Sequence, residues 1–243
     1  VAVLRDACRD PRFEVTALVD ADRPLSLPAG VRSRAVAAGA EVDTLVAEAT
    51  RAQWTIVIAP ETDGLLADRV AAIRTAGAAV LAADAAFIEG ASDKQATRVE
   101  ALAAGLPVGV SCLCGPRGAV PLVPLHQRFA GPGAARYLGG EPLDDPQASR
   151  RAAALAVRAV DAVARCGGVA RGWVGVDMIL GRRGDGRDDR VLEVNPRFTT
   201  SFVGHAAGAP QSLVRAMIEV AVGGRVPRES TPVAFRLATD AVH

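Results

Sequence analysis

Hydrophobic positions cluster into β-branched runs of strand length at "RFEVTALVD" (12–20), "WTIVIAP" (54–60) and "AAVLA" (78–82). Ala-rich stretches at about 42–52 and 62–76 lie between them and read as helices. Strands alternating with helices predict a parallel α/β unit over residues 1–90. The opening "VAVLRDACRD" reads as the tail of a helix whose preceding strand is absent.

Beyond residue 90, Ser92 with Gln95 three positions later forms a capping box that starts a helix, and Gly105 and Pro107 stop it. "VGVSCLC" (108–114) and "AVPLVPL" (119–125) read as strands around the turn "GPRG". A long Ala/Val/Arg helix, about 147–166, ends at Gly167 and Gly168. "GWVGVDMIL" (172–180) and "RVLEVNP" (190–196) then bracket a polar loop as a β-hairpin, and a last helix follows Pro210 over about 210–222.

Length and composition narrow the class without choosing a function. A chain of 243 residues, half hydrophobic, has enough volume for a sizeable core in one or two domains. A formal net charge of +1 gives no footprint for nucleic acid or for an anionic membrane surface. No apolar run reaches the roughly 18 residues of a membrane span, and the first residues do not form a signal peptide. Four cysteines make no disulfide scaffold, so a reducing cytoplasm is the expected location. Cys112 and Cys114 share one face of a strand; without a second pair at zinc spacing they read as buried thiols rather than ligands.

The chemistry gathers in the hairpin. Strand alternation puts Glu193, Asn195 and Arg197 on one face, provided Pro196 does not bend the chain. Pairing Leu180 with Arg190 would set Asp177, a lone carboxylate in an apolar run, opposite Glu193. Like charges directly opposite repel, and a divalent cation between them removes the penalty. Asp177, Glu193 and the amide oxygen of Asn195 are hard oxygen donors of the kind Mg²⁺ takes. Arg197 would then bind a phosphoryl or carboxylate oxygen. The plainer reading pairs both acids with neighbouring arginines, of which seven lie between positions 165 and 197.

One lysine, Lys94, stands among 28 basic residues, in a helical first turn where the helix dipole disfavours a cation. A bound phosphate would reverse that sign, and a solvated lysine balanced by Asp93 is the alternative. Thr199, Thr200 and Ser201 offer hydroxyls that suit an anionic ligand and equally suit a turn. His205 reads as structural.

"GASDK" opening a helix, "GWVGVDMIL" and "LEVNPRFTTSFVG" together resemble the ATP-grasp superfamily of carboxylate–amine ligases, over essentially the whole chain. "APETDG" (59–64), "ASDK" and "NPRFTTSFVG" look most like the branch containing tyramine–glutamate ligase of methanofuran biosynthesis and its bacterial relatives in one-carbon metabolism. The resemblance implies an α/β fold, with a Rossmann-like pre-ATP-grasp domain at 1–90 and an ATP-grasp domain at 91–243. It also implies ATP and Mg²⁺ (or Mn²⁺) as cofactors. Asp177, Glu193 and Asn195 would hold the metal, Lys94, Thr200 and Ser201 the nucleotide, and Arg197 the transferring phosphoryl. Activation of a carboxylate as an acyl phosphate would precede amide formation, joining glutamate to an amine such as tyramine or tyrosine. The expected partners are those small molecules, with a homodimer allowed.

The departure is a lid. The superfamily's second lysine, Gly-rich loop and adenine-reading hinge strand are not found here, since "GLPV" runs almost directly into "SCLCGPRG". Either a lid segment belongs near 107–111 in a longer polypeptide, or the protein is a lid-less binding or scaffold module. A nucleotide-binding oxidoreductase, prompted by Asp20 at the end of a strand, is the remaining class, although no G-x-G-x-x-G accompanies it.

Overall fold

The computed structural model describes residues 1–23, 25–91, 105–131, 136–225 and 232–237. Lys94, Ser92 and Gln95, with the helix expected around them, lie outside the described residues.

The N-terminal part is α/β, as the alternating pattern predicts. Helix α1 (Ala2–Ala7) leads into β1 (Val15–Asp20), which pairs in parallel with β2 (Val31–Val36), followed by α2 (Glu41–Ala49), α3 (Leu65–Thr75) and α4 (Ala85–Ala91). The strands expected at 54–60 and 78–82 reduce to one parallel bridge between Thr55 and Val80. Two backbone hydrogen bonds hold it, Thr55 N to Ala79 O and Leu81 N to Thr55 O, each 2.9 Å. The apolar runs supply burial there, with Val57 and Val80 in the core, but the flanking backbone is not laddered.

The rest of the chain builds a mostly antiparallel sheet. Its strands are β3 (Leu106–Gly115), β4 (Gly118–Pro121), β5 (Leu125–Ala130), β6 (Arg136–Pro142), β7 (Gly172–Leu180), β8 (Arg190–Asn195) and β9 (Phe235–Arg236). The order is β8-β7-β3-β5-β6-β9, with β4 also on β3. The single strand expected at 119–125 is thus two, interrupted near Pro124, whose missing N–H suits a break in a ladder. β3 and β7 pair from Leu106↔Leu180 to Cys114↔Gly172 and form the sheet's spine.

Helix α5 (Pro146–Arg165) packs on one face of that spine. Asp145 caps it by accepting from Gln147 N at 2.8 Å, with Pro146 in the first turn, where a missing N–H costs nothing. Ala148, Ala152, Ala156 and Val160, spaced by four, form its buried stripe. They join Val108, Val110, Cys112, Cys114, Val174, Val176 and Met178 in the main core. Cys112 and Cys114 are therefore packing residues, and burial pushes the Cys112 thiol up to about 12.

Beyond β8 the loop expected at 199–208 contains α6 (Phe202–Gly208), and the last helix, α7 (Leu213–Ala221), begins later than Pro210. Ser212 caps α7 by accepting from Arg215 N, and its hydroxyl donates to Asp6 at 2.9 Å. Asp6 also accepts from Val214 N at 2.9 Å, so a carboxylate of α1 finishes the N-terminus of α7. Among the described residues no helix is long and apolar enough to cross a membrane.

Candidate functional site

Alternation along β7 sends Val174, Val176, Met178 and Leu180 to the α5 side and turns Asp177 to the opposite face. Asp177 pairs with Glu193 of β8, and Asn195 pairs with Gly175, so Glu193 and Asn195 share the Asp177 face. The register expected at Asp177 and Glu193 therefore holds. Beyond it a bulge intervenes: Met178 faces Val191 and Ile179 faces Arg190, in place of the expected Leu180–Arg190 pair. Leu192 is the extra residue, and bulges of this kind re-aim side chains beside functional positions.

Two carboxamides serve Asp177. Gln127 of β5 donates Nε2–H to Oδ1 at 2.7 Å, and Asn195 donates Nδ2–H to Oδ2 at 3.0 Å. Such charge-assisted bonds offset much of the desolvation of a half-buried carboxylate. Gln127 reaches Asp177 across β3 because position 109 is glycine: a Cβ there would lie 2.9 Å from Gln127 Nε2 and 3.5 Å from Asp177 Oδ1. Gly175 clears the same face farther along, where a Cβ would meet Thr199 Cγ2 at 2.5 Å. Sequence reasoning missed Gln127 and Gly109. A carboxamide in the strand-like "LHQRFA" was the only available signal.

Two of the loop arginines pair within the loop itself. Arg183 pairs with Asp188 at 3.4 Å, Arg187 with Asp185 at 3.5 Å, and Arg151 of α5 takes Asp189. Among the described residues no group of three or more His, Cys, Asp or Glu side chains forms a metal cluster. The donor set here is two carboxylates and a carboxamide. Facing acids with an amide oxygen on the same face fit a hard divalent cation that completes its shell with water and phosphate oxygens.

Strand β8 ends at Asn195 and the chain bends at Pro196 and Arg197, so strand alternation does not extend to Arg197. Its guanidinium meets Glu61 of the N-terminal part: Nε donates to Oε2 and Nη2 donates to Oε1 at 3.2 Å. Nη1 donates to Phe198 O at 3.4 Å.

The hydroxyls that follow divide their work. Thr200 is exposed and lies near the Tyr137 phenol of β6. Burial, with the Asp177 charge adding to it, pushes that phenol up to about 12. Ser201 is instead a link in a chain of hydroxyls, 2.8 Å from Ser111 Oγ and 2.6 Å from Thr199 Oγ1, which accepts from Trp173 Nε1 at 3.1 Å. The chain pins the loop onto β3 and β7. His205 is fully buried beside Trp173, ring centroids 6.0 Å apart, and desolvation lowers its pKa to about 4. It is a neutral structural group, as the sequence suggested.

Comparison with known proteins gives the frame for this geometry. Residues 13–88 match the pre ATP-grasp 3 domain, and residues 76–201 match the ATP-grasp domain. An ATP-grasp superfamily protein from Archaeoglobus fulgidus superposes with a TM-score of 0.60 at 19% identity, over 82% of this chain and 72% of that one. N5-carboxyaminoimidazole ribonucleotide synthetase from Thermotoga maritima gives 0.62 at 14% identity, over 96% and 75%. Pyruvate carboxylase from Rhizobium etli gives 0.67 at 16% identity, and there the chain spans 23% of the larger enzyme while 92% of it is covered. At these identities the likeness is one of fold. No curated protein matches the chain.

Proposed function

The chain belongs to the ATP-grasp family, and on that premise we propose that it is an ATP- and divalent-metal-dependent ligase forming an amide through an acyl phosphate. The observation that carries the reading is the pairing of Asp177 with Glu193 on a face shared with Asn195. These three residues would hold Mg²⁺ or Mn²⁺, which supplies charge neutralisation at the β- and γ-phosphates of ATP when bound. The rest falls to the chain itself. Gln127 and Asn195 fix the rotamer of Asp177, and Thr200 with Tyr137 gives the loop a polar edge toward the nucleotide. Arg197 is the residue assigned to an anionic oxygen of the transferring group, and Lys94 to ATP phosphate. No covalent side-chain nucleophile is needed, because positioning and charge account for catalysis in phosphoryl transfer.

On the finer point of substrates, we propose glutamate as the activated carboxylate and tyramine or tyrosine as the amine, in the assembly of a methanofuran-type one-carbon cofactor. The support is the sequence resemblance of "APETDG", "ASDK" and "NPRFTTSFVG". The test is ADP formation by purified protein with ATP, Mg²⁺, glutamate and each amine, with products identified by mass. ADP release dependent on both substrates supports the reading, and its absence across a broad panel of amino acids and amines rejects it.

A second reading is favoured by two observations: β3 runs unbroken from Leu106 to Gly115 where a lid would insert, and Lys94 is the only lysine in the sequence. In that case the protein binds nucleotide without turning it over. Calorimetric binding of Mg·ATP with no ADP formed under any substrate condition would select it.

A further inference from the structure

We infer that Glu61 is a positioning residue for Arg197, holding the guanidinium so that its remaining N–H donors can meet an anionic oxygen. This rests on the proposed ligase reading, within which Arg197 meets the transferring phosphoryl. A guanidinium carries five N–H donors. Glu61 takes one from Nε and one from Nη2, and Phe198 O takes one from Nη1. One N–H remains on each terminal nitrogen, free to donate to a phosphoryl or carboxylate oxygen. Arg197, one-third exposed, therefore keeps donors accessible while Glu61 clamps it.

The clamp comes from an unusual piece of backbone. Glu61 is buried, its side chain 6% exposed, and the two residues before α3 are both left-handed, Asp63 at φ 57° and Gly64 at φ 71°. Asp63 is the one non-glycine residue with positive φ among those described. A non-glycine residue in that region costs energy and persists only where its surroundings dictate it. Here the surroundings are α3, anchored by buried Leu66, Val70 and Ile73, whose N-terminus follows directly. The turn presents a buried carboxylate to an arginine 136 residues later, two positions after Asn195. A rigid hold on the guanidinium matters because a misaligned donor loses most of its value in a site that works by orientation.

The experiment measures affinities of the full chain for Mg·ADP and for the non-hydrolysable Mg·AMPPNP by titration calorimetry. Wild type is compared with Glu61→Gln, Glu61→Asp and Arg197→Lys, with thermal unfolding of each recorded alongside. Mg·ADP binding is expected to stay within about twofold throughout, while Mg·AMPPNP binding weakens about tenfold in Arg197→Lys and Glu61→Gln and less in Glu61→Asp. A wild-type ratio in Glu61→Gln alongside a lost one in Arg197→Lys overturns the role of Glu61 and leaves the ligase reading standing. Equal weakening of both nucleotides in Glu61→Gln, with a lowered melting temperature, also overturns it, since a merely structural pair behaves so. An unchanged ratio in Arg197→Lys removes the role of Arg197 and the proposal with it. Should Glu61→Gln not fold, Glu61→Asp decides by the same ratio, a wild-type value overturning the proposal.

Discussion

Gln127 Nε2 lies 2.7 Å from Asp177 Oδ1, reached across an intervening strand that carries glycine at the crossing point. The bond ties the centre of the sheet to the carboxylate that faces Glu193. It also makes the local backbone choice at Gly109 part of the site.

Replacing Gly109 with alanine should therefore act at a distance of one side chain. The new Cβ would sit 2.9 Å from Gln127 Nε2, so Gln127 must move and Asp177 loses one of its two amide donors. A stability loss of about 1–3 kcal/mol is expected from overpacking. Urea unfolding measures it. Gln127→Ala, which makes room, should restore most of the stability of Gly109→Ala without restoring nucleotide-dependent activity.

Asp177→Asn and Glu193→Gln should each abolish Mg²⁺-dependent ATP turnover while leaving the fold intact. If the pair holds a divalent ion, Mg²⁺ together with ATP raises the melting temperature of wild type and leaves both variants unmoved. A full Mg²⁺-dependent shift in both variants would remove the metal assignment.

His205 makes stability depend on pH in a definite direction. Its folded pKa is lowered from 6.5 to about 4 by desolvation, so the unfolded chain binds the extra proton first as pH falls. The stabilisation is full above about 6.5 and is lost progressively between 6.5 and 4, on the order of 3 kcal/mol across the window. Both ring nitrogens lack hydrogen-bond partners among the described residues, so His205→Phe should fold and should flatten this part of the pH profile relative to wild type. Chemical denaturation at pH 7 and pH 5 checks it through the difference between the two proteins. Equal slopes would count against the assignment.

The cysteines should separate cleanly in a labelling experiment. Cys166 is exposed, whereas burial holds the Cys112 thiol near 12 and that of Cys114 well above its usual value. Alkylation at pH 8 followed by mass spectrometry should modify Cys166 in the folded protein and reach Cys112 and Cys114 only after denaturation. Because the folded thiols stay protonated where unfolded ones ionise, their contribution to stability is lost as pH rises above about 9.

How far the sequence revealed this arrangement follows from the reach of each interaction. The hairpin of β7 and β8 was legible because alternation, a polar loop and a lone aspartate all lie within 25 residues. Helix α5 was legible from its stop signals and its repeating apolar stripe. Strand β2 left no trace, since "VRSRAV" is mostly exposed and lacks an apolar face. The run at 54–60 misled for the opposite reason: its apolar residues are wanted for burial, while only Thr55 finds a strand partner. Gln127 lies 50 residues from Asp177 and Glu61 lies 136 from Arg197, so no local pattern could announce either contact. Pro196 was visible as a bend, but the partner that Arg197 meets beyond it was not.

The meeting of Asp6 with Ser212 and Val214 has a consequence for birth on the ribosome. The two partners follow Asp6 by 206 and 208 residues, so α1 cannot reach its final environment until the chain through Val214 has been translated. At roughly 5–20 residues per second that wait lasts on the order of ten to forty seconds. For that interval the apolar side of α1, including Val3 and Ala7, lacks the two late helices α6 and α7 that it packs against, a surface a chaperone could cover.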